Sequence, residues 1–145
     1  MKTYSTENHN PLPALYILRS RYLSAVSTHL HQSITTDGEL LSDLLSNIAA
    51  DEITLYHAAG DCIRRMGSDA TPFVPNRGAV YEALLQSAGE MLCECIAAKR
   101  ENARLLEYTA AITGGDVRNI LRDIAVCEAE HIERLFDMFR KIIMD

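Results

Sequence analysis

Tryptophan is absent from this chain, aromatic residues make up only 6% of it, and its 145 residues include 4 prolines and 7 glycines. Few breakers and few large β-formers leave little material for turns or strands. No window alternates apolar and polar residues for long enough to read as a strand. No stretch of 18 uninterrupted apolar residues occurs, so no membrane-spanning helix is expected. Basic runs are missing too. With 14 Lys+Arg against 20 Asp+Glu the net charge is −6, which argues against a nucleic-acid surface. The N-terminal stretch MKTYSTENHNPLP lacks the apolar centre of a signal peptide, so the expected location is cytoplasmic. Four cysteines without an export signal then read as reduced thiols.

Apolar side chains make up 48% of the sequence, with Ala and Leu abundant, and the length suits one domain with a single core. Residues 1–11 read as a polar, disordered tail and 12–145 as the folded unit. Apolar positions recur at helical spacing in four stretches. The first runs from Leu12 to about Ile34, with Leu15, Leu18, Tyr22, Ala25 and His29 on one stripe. A turn at 35–38 follows, with Asp37 as the expected cap of the next helix. That helix runs from about Glu39 to Met66 and stops at Gly67, with Leu41, Leu45, Ile48, Glu52, Leu55, Ala59 and Cys62 facing inward. The third is expected from about Ala79 to Thr113, with Val80, Leu84, Met91, Glu94, Ala98, Glu101 and Leu105 on its stripe. Gly114 and Gly115 break it, and Asp116 is the expected cap of a fourth helix reaching the C-terminus. Between the second and third lies GSDATPFVPNRG, with two glycines and two prolines. At about 3.3 Å per residue this segment spans roughly 40 Å, the length of such a helix. Short, long and short connections describe an all-α four-helix bundle with one long crossover between helices 2 and 3, as in ferritin-like folds.

Three of the stripes carry charge where apolar residues belong. Glu52 lies between Ile48 and Leu55, Glu128 and His131 between Ile124 and Leu135, and Glu101 between Ala98 and Leu105. A buried carboxylate costs several kcal/mol unless it is neutralised, paired or coordinated. A bound cation would meet that cost for several at once. Counting back from the turn at 113–116 places Glu101 level with Glu128 and His131, while Glu94 lies two turns further along. Glu128-x-x-His131 puts two ligand types on one helix face. The competing reading is a buried His–Glu hydrogen bond that completes a core.

These residues sit in IAADEITLYHAAG, the MGSD turn, ENARLLEY and DIAVCEAEHIERLF, and over about residues 14–143 the chain resembles the rubrerythrin-type diiron-carboxylate proteins of the ferritin-like superfamily. The resemblance implies one Glu from helix one, Glu-x-x-His from helix two, one Glu from helix three and Glu-x-x-His from helix four. Glu128 and His131 match helix four, Glu101 matches helix three with Glu94 as its alternative, and Glu52 matches the helix-two glutamate. The helix-two histidine position is Leu55 and the helix-one glutamate position is Tyr22. In the family both missing ligands serve the same metal. The resemblance therefore implies a degenerate site that holds one Fe, Mn or Zn ion on Glu52, Glu101, Glu128 and His131, with residual oxidoreductase or iron-handling activity and a homodimeric assembly. The alternative is a metal-free bundle serving as a structural or interaction subunit.

His29 lies on the inward stripe but two turns from the level of the site, and reads as a hydrogen-bonded core histidine rather than a ligand. Cys93 and Cys95 are two residues apart, on opposite sides of a helix, so they cannot pair. All four cysteines read as small core fillers, with redox sensing as the alternative.

Overall fold

A computed structural model describes residues 10–68 and 87–144, and every element among them is helical. Helix α1 spans Leu12–Thr35, α2 Glu39–Arg65, α3 Ala88–Ala111 and α4 Gly115–Met144. The first two helices match the sequence expectation to within a residue at either end. Pro13 sits in the first turn of α1, where a missing N–H costs nothing, and the Asn10 side chain accepts from the Leu12 N–H at 3.0 Å.

The expected caps differ from those found. Gly38, not Asp37, is the N-cap of α2, at φ 102°, and it makes no side-chain cap. Asp116 lies inside the first turn of α4, near Arg65 at the end of α2. The end of α2 follows expectation. Gly67 adopts φ 78°, the Gly67 N–H donates to the Arg64 carbonyl, and the Ser68 N–H donates to that of Ile63, the two bonds of a Schellman stop. Ser87 is non-helical and caps α3 through its hydroxyl, which accepts from the Glu90 N–H at 3.2 Å, so no helix continues through it from Ala79. The inward positions expected at Val80 and Leu84 lie outside the described residues.

Helices α1 and α2 pack as one antiparallel pair and α3 and α4 as the other, while α2 also lies against α4. The start of α2 packs with the start of α3, and the later half of α2 with the later half of α3. These two helices are therefore parallel, so the end of α2 and the start of α3 lie at opposite ends of the bundle. That arrangement is the one a long crossover requires. Among the described residues, no helix is long and apolar enough to cross a membrane.

The core falls into two apolar clusters. One holds Leu15, Leu18, Tyr22, Leu55, Leu106 and Leu121. The other holds Leu41, Leu45, Ile48, Leu92, Ile96 and Leu135. Between them runs a layer of buried polar groups: Glu52, Lys99, Asn102, Glu128 and His131. The functional question lies in that layer.

Candidate functional site

Helical spacing brings each member of the layer inward. Glu52 continues the Leu45–Ile48 stripe of α2, and Glu128 and His131 continue Leu121 and Ile124 on α4; all three are at most 1% exposed. On α3 the inward stripe is Cys95, Lys99, Asn102 and Leu106, offset from the expected one. Glu101 and Glu94 are both exposed. Glu101 forms a surface ion pair with Arg104, one turn on. The expected level was sound and the facing was not: residues 99 and 102 flank position 101, and about 100° per residue turns Glu101 outward. Glu52, Glu128 and His131 therefore come together, and Glu101 and Glu94 do not join them.

Lys99 takes the place assigned to a cation. Its Nζ lies 2.8 Å from Glu128 Oε1 and 3.1 Å from Glu52 Oε2, with all three side chains at most 3% exposed. Asn102 Nδ2 donates to the other Glu128 oxygen at 3.3 Å. Burial works against the ammonium charge, but the two carboxylates outweigh it and raise the Lys99 pKa. Burial likewise works against charge on Glu52, yet His29 and Lys99 hold its carboxyl below the usual range.

His29 supplies the remaining contact. Its Nδ1 is hydrogen-bonded to Glu52 Oε1, and its Nε2 lies 3.5 Å from Cys95 Sγ. Burial disfavours the imidazolium, but the hydrogen bonds to Cys95 and Glu52 and the Glu52 charge prevail, and the pKa rises to about 9. The two-turn offset from Glu52 closes because side chains lean towards the N-terminus of their own helix. In an antiparallel pair this lean carries His29 away from the connecting turn and Glu52 towards it.

The two-metal centre implied by the resemblance does not fit these residues. The position between the glutamates is filled by an ammonium, and the helix-one and helix-two ligand positions hold Tyr22 and Leu55, both apolar-packed. Tyr22 is wholly buried and its hydroxyl has no hydrogen-bond partner among the described residues. Burial, then the charges of Glu128 and Glu52, push its phenol well above its ordinary pKa.

A second constellation lies beside the first, on the seam between α2 and α4. His131 Nε2 is 2.8 Å from Asp51 Oδ2 and 3.6 Å from Cys127 Sγ. One ligand atom from each of the three falls within 4.8 Å of the others. His131 is buried, whereas Asp51 and Cys127 are partly open to solvent. Burial and the Asp51 charge push the Cys127 thiol up to about 11. His131 Nδ1 is buried without a hydrogen bond, 3.7 Å from Glu128 Oε1: within ion-pair reach but beyond hydrogen-bond length. Sequence reasoning missed Asp51 and Cys127. The available signal was Cys127-x-x-x-His131, two ligand types four residues apart on one face.

Helices α1 and α3 touch least of the neighbouring pairs, and a cavity of about 510 Å³ opens between them. Its lining includes His29, Glu52, Cys95, Lys99 and Asn102, together with the exposed Glu94 and Glu101. Compared with protein-family models and with curated proteins, the chain matches none.

Proposed function

We propose that this chain is a ferritin-like bundle that binds one divalent metal ion, zinc first, on Asp51, Cys127 and His131 rather than between the core glutamates. The supporting observation is the unpartnered His131 Nδ1. A carboxylate only accepts, so with Asp51 on Nε2 the proton of a neutral ring sits there and leaves Nδ1 bare. Metal at Nε2 moves that proton to Nδ1, which then faces Glu128 Oε1, the carboxylate–histidine–metal arrangement common in metal sites. Tetrahedral zinc with bonds of about 2.0–2.3 Å sets its ligand atoms roughly 3.5 Å apart, close to the 3.6 Å between Cys127 and His131. The Asp51 hydrogen bond is exchanged for a bond to the metal. A thiolate ligand favours zinc over manganese, and three protein ligands leave the fourth position to water.

The test is uptake of zinc, and of cobalt as its coloured stand-in, by chelator-stripped protein. About one ion per chain is expected, with a thiolate-to-cobalt absorption band that disappears in Cys127→Ser. No uptake, or a band unchanged in that variant, would reject the reading. The metal-free alternative has its own support in Lys99, which already neutralises the core glutamates. It requires wild-type melting to be unchanged by zinc and by chelator.

A further inference from the structure

Cys95, His29 and Glu52 come from three different helices and form one hydrogen-bonded line beside the α1–α3 cavity. Glu52 accepts from Nδ1, which fixes the ring so that Nε2 faces the sulfur at 3.5 Å. Lys99 anchors the other Glu52 oxygen at 3.1 Å, and the thiol also lies 3.8 Å from Gln32 Oε1. This is the order of nucleophile, base and orienting carboxylate that activates a cysteine. Cys127 also faces a histidine, His131 Nε2 at 3.6 Å, but that nitrogen is shared with Asp51 at 2.8 Å, and the other two described thiols have no such line. Cys93 is exposed, and Cys62 is buried with its thiol pushed up to about 11 by burial.

We propose that Cys95 is a peroxide-reactive thiol, with His29 as its proton-transfer partner and Glu52 as the positioning residue. The class of electrophile follows from the walls. Helix backbone N–H groups are spent on i to i−4 bonds, so these helices offer no backbone oxyanion hole for acyl transfer. Cys95 and His29 are each only 6% exposed, which restricts the attacker to something as small as hydrogen peroxide or a short alkyl hydroperoxide. The raised pKa of His29 puts the proton shared with Sγ on Nε2, so the attacking form is the thiolate–imidazolium pair. The thiolate lone pair then forms an S–O bond to the near oxygen as the O–O bond breaks. The distal oxygen takes the electron pair and the imidazolium proton, and leaves as water or alcohol. Sulfur is oxidised to sulfenic acid, the peroxide is reduced, and His29 is left neutral until it regains a proton from solvent. A small thiol reverses the change by way of a mixed disulfide.

The experiment exposes the folded full chain to a few equivalents of hydrogen peroxide, unfolds timed samples into a 1,3-dione that traps sulfenic acid, and reads each cysteine by peptide mass spectrometry. Cys95 should be tagged at least tenfold faster than exposed Cys93. His29→Gln should lower the Cys95 rate at least tenfold, and Glu52→Gln should lower it less, with Cys93 unchanged in both. Merely loosening the fold has the opposite sign, because it would expose Cys95 and Cys62 and speed their tagging. If His29→Gln does not fold, the wild-type ratio of Cys95 to Cys93 decides alone. A ratio of one or below overturns the proposal, as does an unchanged Cys95 rate in a folded His29→Gln.

Discussion

The ammonium of Lys99 lies 2.8 Å from the carboxylate of Glu128, and neither side chain reaches solvent. Such a pair contributes less through its own attraction than through what its loss leaves behind. Lys99→Met should destabilise the chain by about 3–5 kcal/mol, because two buried carboxylates lose their cation. Adding Glu128→Gln should recover part of that loss. Urea unfolding of the two single variants and the double gives the coupling, expected to exceed about 1 kcal/mol. Additive losses would mean that the two groups do not act as a pair.

Stability should fall on the alkaline side through His29. Its folded pKa of about 9 lies above the ordinary value of 6.5. The contribution is therefore complete below about 6.5 and disappears as pH rises through 9, on the order of 3 kcal/mol in all. Glu52 is shifted the other way, so its contribution is present above the ordinary 4.5 and is lost only as pH falls through its lowered folded value. Urea midpoints from pH 6 to 9.5 should decline in the wild type and much less in His29→Gln. Equal slopes would remove His29 as the cause.

Ligand identity separates the metal readings. His131→Ala and Cys127→Ser should each abolish zinc uptake, while Glu101→Gln should leave it unchanged, since Glu101 is exposed and paired with Arg104. Isothermal titration with zinc checks all three. Loss of binding in Glu101→Gln would instead favour the ligand set first expected, with Glu101 among it.

Tyr22→Phe should be neutral or raise stability by about 1 kcal/mol. The hydroxyl is buried and bonds to none of the described residues, so its removal ends a desolvation cost without breaking a contact among them. A loss of comparable size in chemical denaturation would show that the oxygen is held.

Gly67→Ala should cost about 1 kcal/mol, from backbone strain alone, because φ is 78° and nothing lies within 4 Å of an added Cβ. Gly114→Ala, equally open and without a positive φ, should cost less. Paired thermal melts compare them.

The fold was legible because three stripes carry enough large apolar residues to define one face. Leu41, Leu45 and Ile48 leave no doubt where Glu52 points, and Leu121, Ile124 and Leu135 do the same for Glu128 and His131. Helix α3 was harder to orient. It offers Leu105 and Leu106 side by side, and its middle turns hold Ala97 and Ala98 next to Lys99. Periodicity there fits two faces one residue apart, and a lysine reads as outward by default. Only the two carboxylates waiting opposite make Lys99 the inward choice. His29 was legible as a hydrogen-bonded core histidine, but its partner Glu52 escaped for a different reason. Level was counted between Cα positions, whereas the reach and lean of two side chains decided the contact.

The connection between antiparallel partners has an electrostatic consequence. The α1–α2 hairpin contains both His29 and Glu52, and the α3–α4 hairpin contains both Lys99 and Glu128. Each half of the molecule thus carries an acid together with its own counter-charge. When the halves meet, Lys99 gains Glu52 as a second neighbour. Assembly of the bundle then joins two pieces in which each core carboxylate already has its partner.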